Sequence, residues 1–116
     1  MSRFVLLEHQ WNGIHYDFML EIGGALRTWS LGTPISPGVD IAARELPDHR
    51  LAYLDYEGPI SGDRGVVRRL DRGTFATRTW EFDRIEVELD GDQLNGPLRL
   101  TRGEREVWSL RFGNRD

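Results

Sequence analysis

Cysteine is absent from the sequence, which excludes a disulfide framework and any thiolate metal site. That usage fits the cytoplasm, the compartment expected here. Lysine is absent as well, so all fifteen basic residues are arginine. Guanidinium is the better bidentate partner for phosphate, yet a biased genomic base composition produces the same pattern. No apolar run approaches the ~20 residues of a membrane span, and no signal-peptide pattern opens the chain. A membrane partner is therefore not expected. No long amphipathic helix is legible either.

What is present suits one small unit. At 116 residues, 39% hydrophobic and 29% charged, the chain has the size of a single domain, 1–116, and the balance of a soluble globular one. Its net charge of −4 argues against blanket attraction to nucleic acid. The charge is unevenly spread: residues 1–63 carry nine acids against four arginines, and residues 64–84 six arginines against three acids.

Periodicity is two nearly throughout. Ile14, Tyr16, Phe18, Leu20 and Ile22 alternate with His15, Asp17, Met19 and Glu21, the pattern of a half-buried strand. Gly23-Gly24 is a hairpin turn signal, and "ALRTWSL" reads as the returning strand. Further strands are expected at 3–8, 41–46, 65–71, 74–82, 84–90, 97–101 and 106–112. Turns are expected at "DRG" (71–73), "DGDQLNG" (90–96) and "TRGE" (101–104), with an irregular loop at 32–40. The expected fold is mainly β: a small antiparallel sandwich or barrel of about eight strands, with at most short helical turns.

Two of only three histidines fall in the stretch "LLEHQWNGIHYDFMLEIGG", residues 6–24. Residues i and i+2 of a strand share a face, so His15 and Asp17 stand together if Tyr16, Phe18 and Leu20 face the core. His9 joins them if its strand pairs with 14–22. Two imidazoles and a carboxylate form an incomplete shell for a divalent ion, with positions left for water and an oxyanion. Solvated surface histidines are the plainer reading of the same spacing. A third reading takes His15, Asp17 and His49 as the two-histidine, one-carboxylate set of a non-haem iron oxygenase.

Later in the chain, "DHRLAYLDYEG" (48–58) puts His49 and Tyr53 four apart, on one face of a helical turn. An imidazole and a phenol suit contact with a phosphate oxygen or protonation of a leaving group. Simple packing of Tyr53 and Tyr56 onto the sheet accounts for the tyrosines equally well. The segment 64–78, with Arg64, Arg68, Arg69, Arg72 and Arg78, is a candidate contact for a nucleic-acid backbone, or else a solvated strand face.

Taken in order, "H-x5-HYDF-x-LE", Trp29, the Pro/Gly loop, "DH-x3-Y-x2-(aromatic)EG", "LDRGTF" and "IEVELDGDQLNGPLRLTR…VWSLRF" resemble the 3′-phosphoesterase domain of bacterial DNA ligase D, an end-healing module of non-homologous end joining. The likeness runs from about Phe4 to Phe112. It implies a small β-barrel with its active site in a groove on the outer surface. It also implies manganese-dependent removal of a 3′-terminal ribonucleoside and then a 3′-phosphate from DNA or DNA–RNA ends. Position by position, His9, His15 and Asp17 match the metal ligands, and His49 and Tyr53 match residues that engage the phosphate and assist the chemistry. Ligation requires neutral imidazole, so activity is expected to fall in acid.

The pattern departs from the family at Met19, where the motif has an arginine that contacts the phosphate. A thioether neutralises no oxyanion. Arg27, on the strand returning from Gly23-Gly24, is a candidate replacement, with Arg50 and Arg64 as others; a solvated Arg27 is the simpler alternative. The family's N-terminal arm and longer glycine-rich loop are reduced here to three residues before Phe4 and to "SGDRG" (61–65), which weakens the expectation of ribonucleoside removal. A joining ligase or polymerase is expected to act in trans. Met19 also motivates a different class of function, an end-binding or docking module with weak or no turnover.

Overall fold

Alternating apolar residues make strands here because one side of each strand is buried in a common interior. In the computed structural model, which describes residues 2–113, the strands are β1 (Arg3–Gln10), β2 (Ile14–Ile22), β3 (Ala25–Leu31), β4 (Asp40–His49), β5 (Gly58–Pro59), β6 (Val66–Glu81), β7 (Arg84–Gly91), β8 (Asn95–Arg102) and β9 (Val107–Phe112). One turn of 3₁₀ helix, Leu51–Leu54, precedes β5. Neighbours pair antiparallel in the order β1-β2-β3-β4-β9-β8-β7-β6, and β1 returns to β6, so eight strands close into a ring. The two-residue β5 is added to β6. Closure leaves the eight strands of the ring without a free edge. The fold is thus mainly β and antiparallel, as the periodicity predicts.

The ring encloses Phe4, Phe18, Trp29, Leu31, Leu100 and Trp108, among others, with the two indoles edge to face at 5.6 Å. A second apolar layer lies on the outside of β1 and β2. There Val5, Leu7, Met19, Leu26, Leu54 and Val67 pack together under Tyr53 and Ile60. The face of β2 that carries His15 and Asp17 is therefore only partly open to solvent, not fully so as a simple half-buried strand would have it. Tyr53, Ile60 and Arg64 of the segment 50–65 flank it, and Asp17 is only 3% exposed.

Two local expectations are corrected. The segments 65–71 and 74–82 form one 16-residue strand, β6, with no turn at 71–73. Gly73 serves close approach instead: a Cβ there would lie 2.1 Å from the Asp90 carbonyl oxygen, and Gly73 pairs with Gly91. The neighbouring Asp71 is buried and accepts N–H groups of Arg72, Gln93 and Leu94 at 2.8–3.0 Å. It shapes the β7–β8 hairpin, so the "DR" that reads as a turn signal stabilises a turn twenty residues later. Likewise His49 does not share a helical turn with Tyr53, because it is the last residue of β4 and only Tyr53 lies in the 3₁₀ turn. No helix among the described residues is long and apolar enough to cross a membrane.

Candidate active site

The β1–β2 hairpin turns through Asn12 and Gly13, both at positive φ, and this sets His9 directly opposite His15. His9 Nδ1 lies 3.1 Å from His15 Nε2. Asp17, two residues on and on the same face, places Oδ2 3.6 Å from His9 Nδ1 and Oδ1 3.3 Å from His15 Nε2. These separations are those of donors sharing one ion at about 2.1 Å. Three side chains that sequence spacing brought together on paper are together in space.

Two further observations fit a cation there. Asp17 Oδ1 is buried and has no hydrogen-bond partner, an arrangement that costs stability unless something of opposite charge meets it. His9 Nε2 lies 2.8 Å from the Arg64 carbonyl oxygen, which can only accept. That nitrogen therefore carries a proton, and Nδ1 is turned toward His15 and Asp17, the orientation device common around metal-ligating histidines. Burial pushes the Asp17 carboxyl above the ordinary aspartate range, opposed by the His15, His9 and His49 imidazoles. Nitrogen and oxygen donors without sulfur suit a first-row divalent ion.

A cavity of about 330 Å³ opens beside these donors and is lined also by His49 and Tyr53. The His49 Nδ1–H donates to the Pro47 carbonyl at 2.9 Å, so Nε2 is the ring's free nitrogen. The His49 and Tyr53 rings meet edge to face at 5.5 Å, and Tyr53 meets Tyr56 at 6.1 Å. The Tyr56 hydroxyl donates to the Pro59 carbonyl, pinning the covering loop. His49 therefore belongs with His9, His15 and Asp17 in one cavity, although its closest ring neighbour is Tyr53.

The arginines sort differently from expectation. Arg27 does not reach the cavity. Met19 pairs with Thr28, so Thr28 takes the outer face and Arg27 the inner one. There its Nε donates to Glu45 at 2.9 Å, with the guanidinium over Trp29 and Trp108. Arg50 caps the 3₁₀ turn and lines a neighbouring cavity with Tyr53 and Tyr56. Arg64 lines the histidine cavity, but its Nε donates to the Ser61 carbonyl at 2.8 Å. The rest of the basic segment is paired within the chain: Arg68 with Glu8, Arg69 with Glu57, Arg72 with Asp55 and Arg78 with Glu88. Among the residues that line the cavity, sequence reasoning missed Trp11, the polar Ser30 and Arg44, and the apolar wall. Ser30 was within reach, since the Gly23-Gly24 turn that pairs Met19 with Thr28 also pairs Asp17 with Ser30.

The sequence profile of the DNA Ligase D 3′-phosphoesterase domain matches residues 7–102, a span that holds every residue lining the cavity. The chain belongs to that family. The multifunctional non-homologous end joining protein LigD of Pseudomonas aeruginosa is 32% identical over 124 aligned positions, covering 95% of this chain. The corresponding DNA repair protein of Mycobacterium tuberculosis is 33% identical over 116 positions and 92% of the chain. That of Mycolicibacterium smegmatis is 30% identical over 111 positions and 90% of the chain. In the first two the aligned region is 15% of the relative, and in the third 14%, so the chain spans about a seventh of the proteins it matches. Met19 stands where the resemblance implies a phosphate-contacting arginine. It is 1% exposed and packs in the second apolar layer, where a guanidinium would have to be turned into the cavity.

Proposed function

We propose that this chain is a divalent-metal-dependent phosphoesterase acting on 3′ ends of DNA or DNA–RNA, removing a terminal phosphate ester to leave a 3′-hydroxyl. The observation that carries the reading is the convergence of His9 Nδ1, His15 Nε2 and an unpartnered Asp17 oxygen beside His49 and Tyr53 in one cavity. His9, His15 and Asp17 would hold the ion, manganese or another first-row divalent metal. When bound, such an ion polarises a phosphoryl oxygen and lowers the pKa of an attacking water.

The chain's own residues supply the rest. The Arg64 carbonyl fixes the His9 tautomer. Leu7, Met19 and Val67 form the apolar wall of the cavity, which strengthens each electrostatic contact inside it. His49, with its Nδ1–H held by the Pro47 carbonyl, offers Nε2 to accept the proton of the attacking water, and the imidazolium so formed returns it to the leaving oxygen. The Tyr53 hydroxyl donates to a phosphoryl oxygen. A 3′-hydroxyl is the group that a polymerase extends and a ligase seals, so the reaction belongs before joining in end repair, as the names of the relatives suggest.

A 3′-phosphate-terminated primer–template incubated with manganese tests the reading. The wild type is expected to yield 3′-hydroxyl product, and His15→Ala to lose at least about 10²-fold in rate. No product from the wild type at any metal concentration rejects the enzyme. Retained, salt-sensitive binding of the phosphorylated end without product would favour the docking module instead.

A further inference from the structure

The cavity receives no cation from β2, where Met19 presents a thioether. Arg64 is folded back on its own loop. Arg44 is differently placed. Asp17 pairs with Ser30 across β2 and β3, and Ser30 with Arg44 across β3 and β4. The three side chains thus stand in one row on the outer face of three adjacent strands, and all three line the cavity. At about 4.8 Å per strand the Arg44 backbone is about 10 Å from that of Asp17, a gap an extended arginine spans in large part. The short Ser30 between them leaves the path open. In this structure the Arg44 guanidinium rests 2.8 Å from Glu106, in a pair whose side chains are 62% and 48% exposed. Pairs this exposed contribute little to folding, so the arginine is readily released to a stronger anion.

We infer that Arg44 is the phosphate-binding cation of this site, parked on Glu106 and exchanging that carboxylate for the anionic group of a bound 3′ end. The inference deepens the proposed phosphoesterase function and takes the identity of its anion from that reading. It relocates the required charge from β2 to β4, two strands away on the same face. A bidentate guanidinium then meets the phosphoryl oxygens from the side opposite His9 and the Arg64 loop.

The test turns on the sign of two substitutions. Calorimetric titration of the manganese-loaded protein with inorganic phosphate, at fixed ionic strength, is run for wild type, Arg44→Gln and Glu106→Gln. Arg44→Gln is expected to weaken phosphate binding roughly tenfold or more. Glu106→Gln, which removes the competing carboxylate, is expected to tighten it by about two- to threefold. A merely structural ion pair loses the same bridge in both variants, so equal shifts, or none, overturn the inference. In turnover, adding Met19→Arg to Arg44→Gln is expected to recover part of the loss, and failure to recover any counts against a relocated charge. The two readings fail separately. A wild type without turnover but with opposite shifts in phosphate affinity sinks the enzyme and keeps Arg44; full turnover in Arg44→Gln does the reverse.

Discussion

The Asp17 carboxylate is 3% exposed, and one of its oxygens has no hydrogen-bond partner. Leaving such a group unsatisfied costs about 1–3 kcal/mol, more when it is charged. Metal-free protein is therefore expected to melt higher when the charge is removed: Asp17→Asn should raise Tm by about 3–6 °C per kcal/mol relieved. The same variant should lose the Tm increase that manganese gives the wild type, since an ion that binds only the folded state stabilises by mass action. Calorimetry of both proteins with and without manganese measures both effects, and a variant that melts lower than wild type without metal contradicts the account. His9, His15 and Asp17 were legible because strand alternation and a short hairpin fix their positions without knowledge of the rest of the fold. Arg44 was not, because β3 and β4 are joined by the irregular segment 32–39 and their register shifts at a bulge between Leu26 and Thr28. Arg27 was ambiguous for another reason. Its strand is apolar on both faces, Leu26 outward and Trp29 inward, so alternation alone does not tell which side an arginine takes.

Among the elements, β6 departs most from its sequence pattern. Its first half pairs with β1 and its second half with β7, the two ladders overlapping at Gly73 and Thr74. Gly73 faces Gly91, and a Cβ on Gly91 would meet the Phe4 ring at 2.6 Å. Two glycines thus let three strands converge over a core phenylalanine, a tertiary demand that a local reading mistakes for a turn. Gly73→Ala is expected to cost at least about 2 kcal/mol, because its Cβ must displace the backbone of Asp90 rather than a flexible side chain. Gly32→Ala is the matched control: nothing lies within 4 Å of its Cβ, and its effect should stay within about 0.5 kcal/mol. Urea denaturation with an unchanged m-value reads both. Equal stability of the two variants would show that Gly73 is not needed for close approach.

At the scale of the whole molecule, a closed ring with apolar residues on both faces of β1 and β2 gives the site a rigid floor. Composition and periodicity predict a sandwich or barrel but not the outer layer, since Val5, Leu7 and Met19 fall on the face that alternation leaves to solvent and meet Leu54, Tyr53 and Ile60 only in the folded chain. The ring interior also holds charge. Over the Trp29–Trp108 pair, Glu45 accepts from Arg27 Nε and Trp108 Nε1, both at 2.9 Å, and lies 3.7 Å from Arg102. Burial by itself raises the Glu45 carboxyl pKa, but the hydrogen bonds from Arg27 and Trp108 and the charges of Arg27 and Arg102 outweigh it and hold the group below the ordinary glutamate range. The folded state then binds the Glu45 proton less tightly than the unfolded state. Its stabilisation is complete above the ordinary glutamate pKa and is lost as pH falls through the lower folded value. Glu45→Gln should therefore melt below wild type at neutral pH, and the gap should narrow as pH drops below about 4.5. Thermal melts of the two proteins across that range decide the matter: a gap that does not change with pH would mean Glu45 acts through shape and hydrogen bonding alone, and no gap at all would remove the network from the account of how the ring is held.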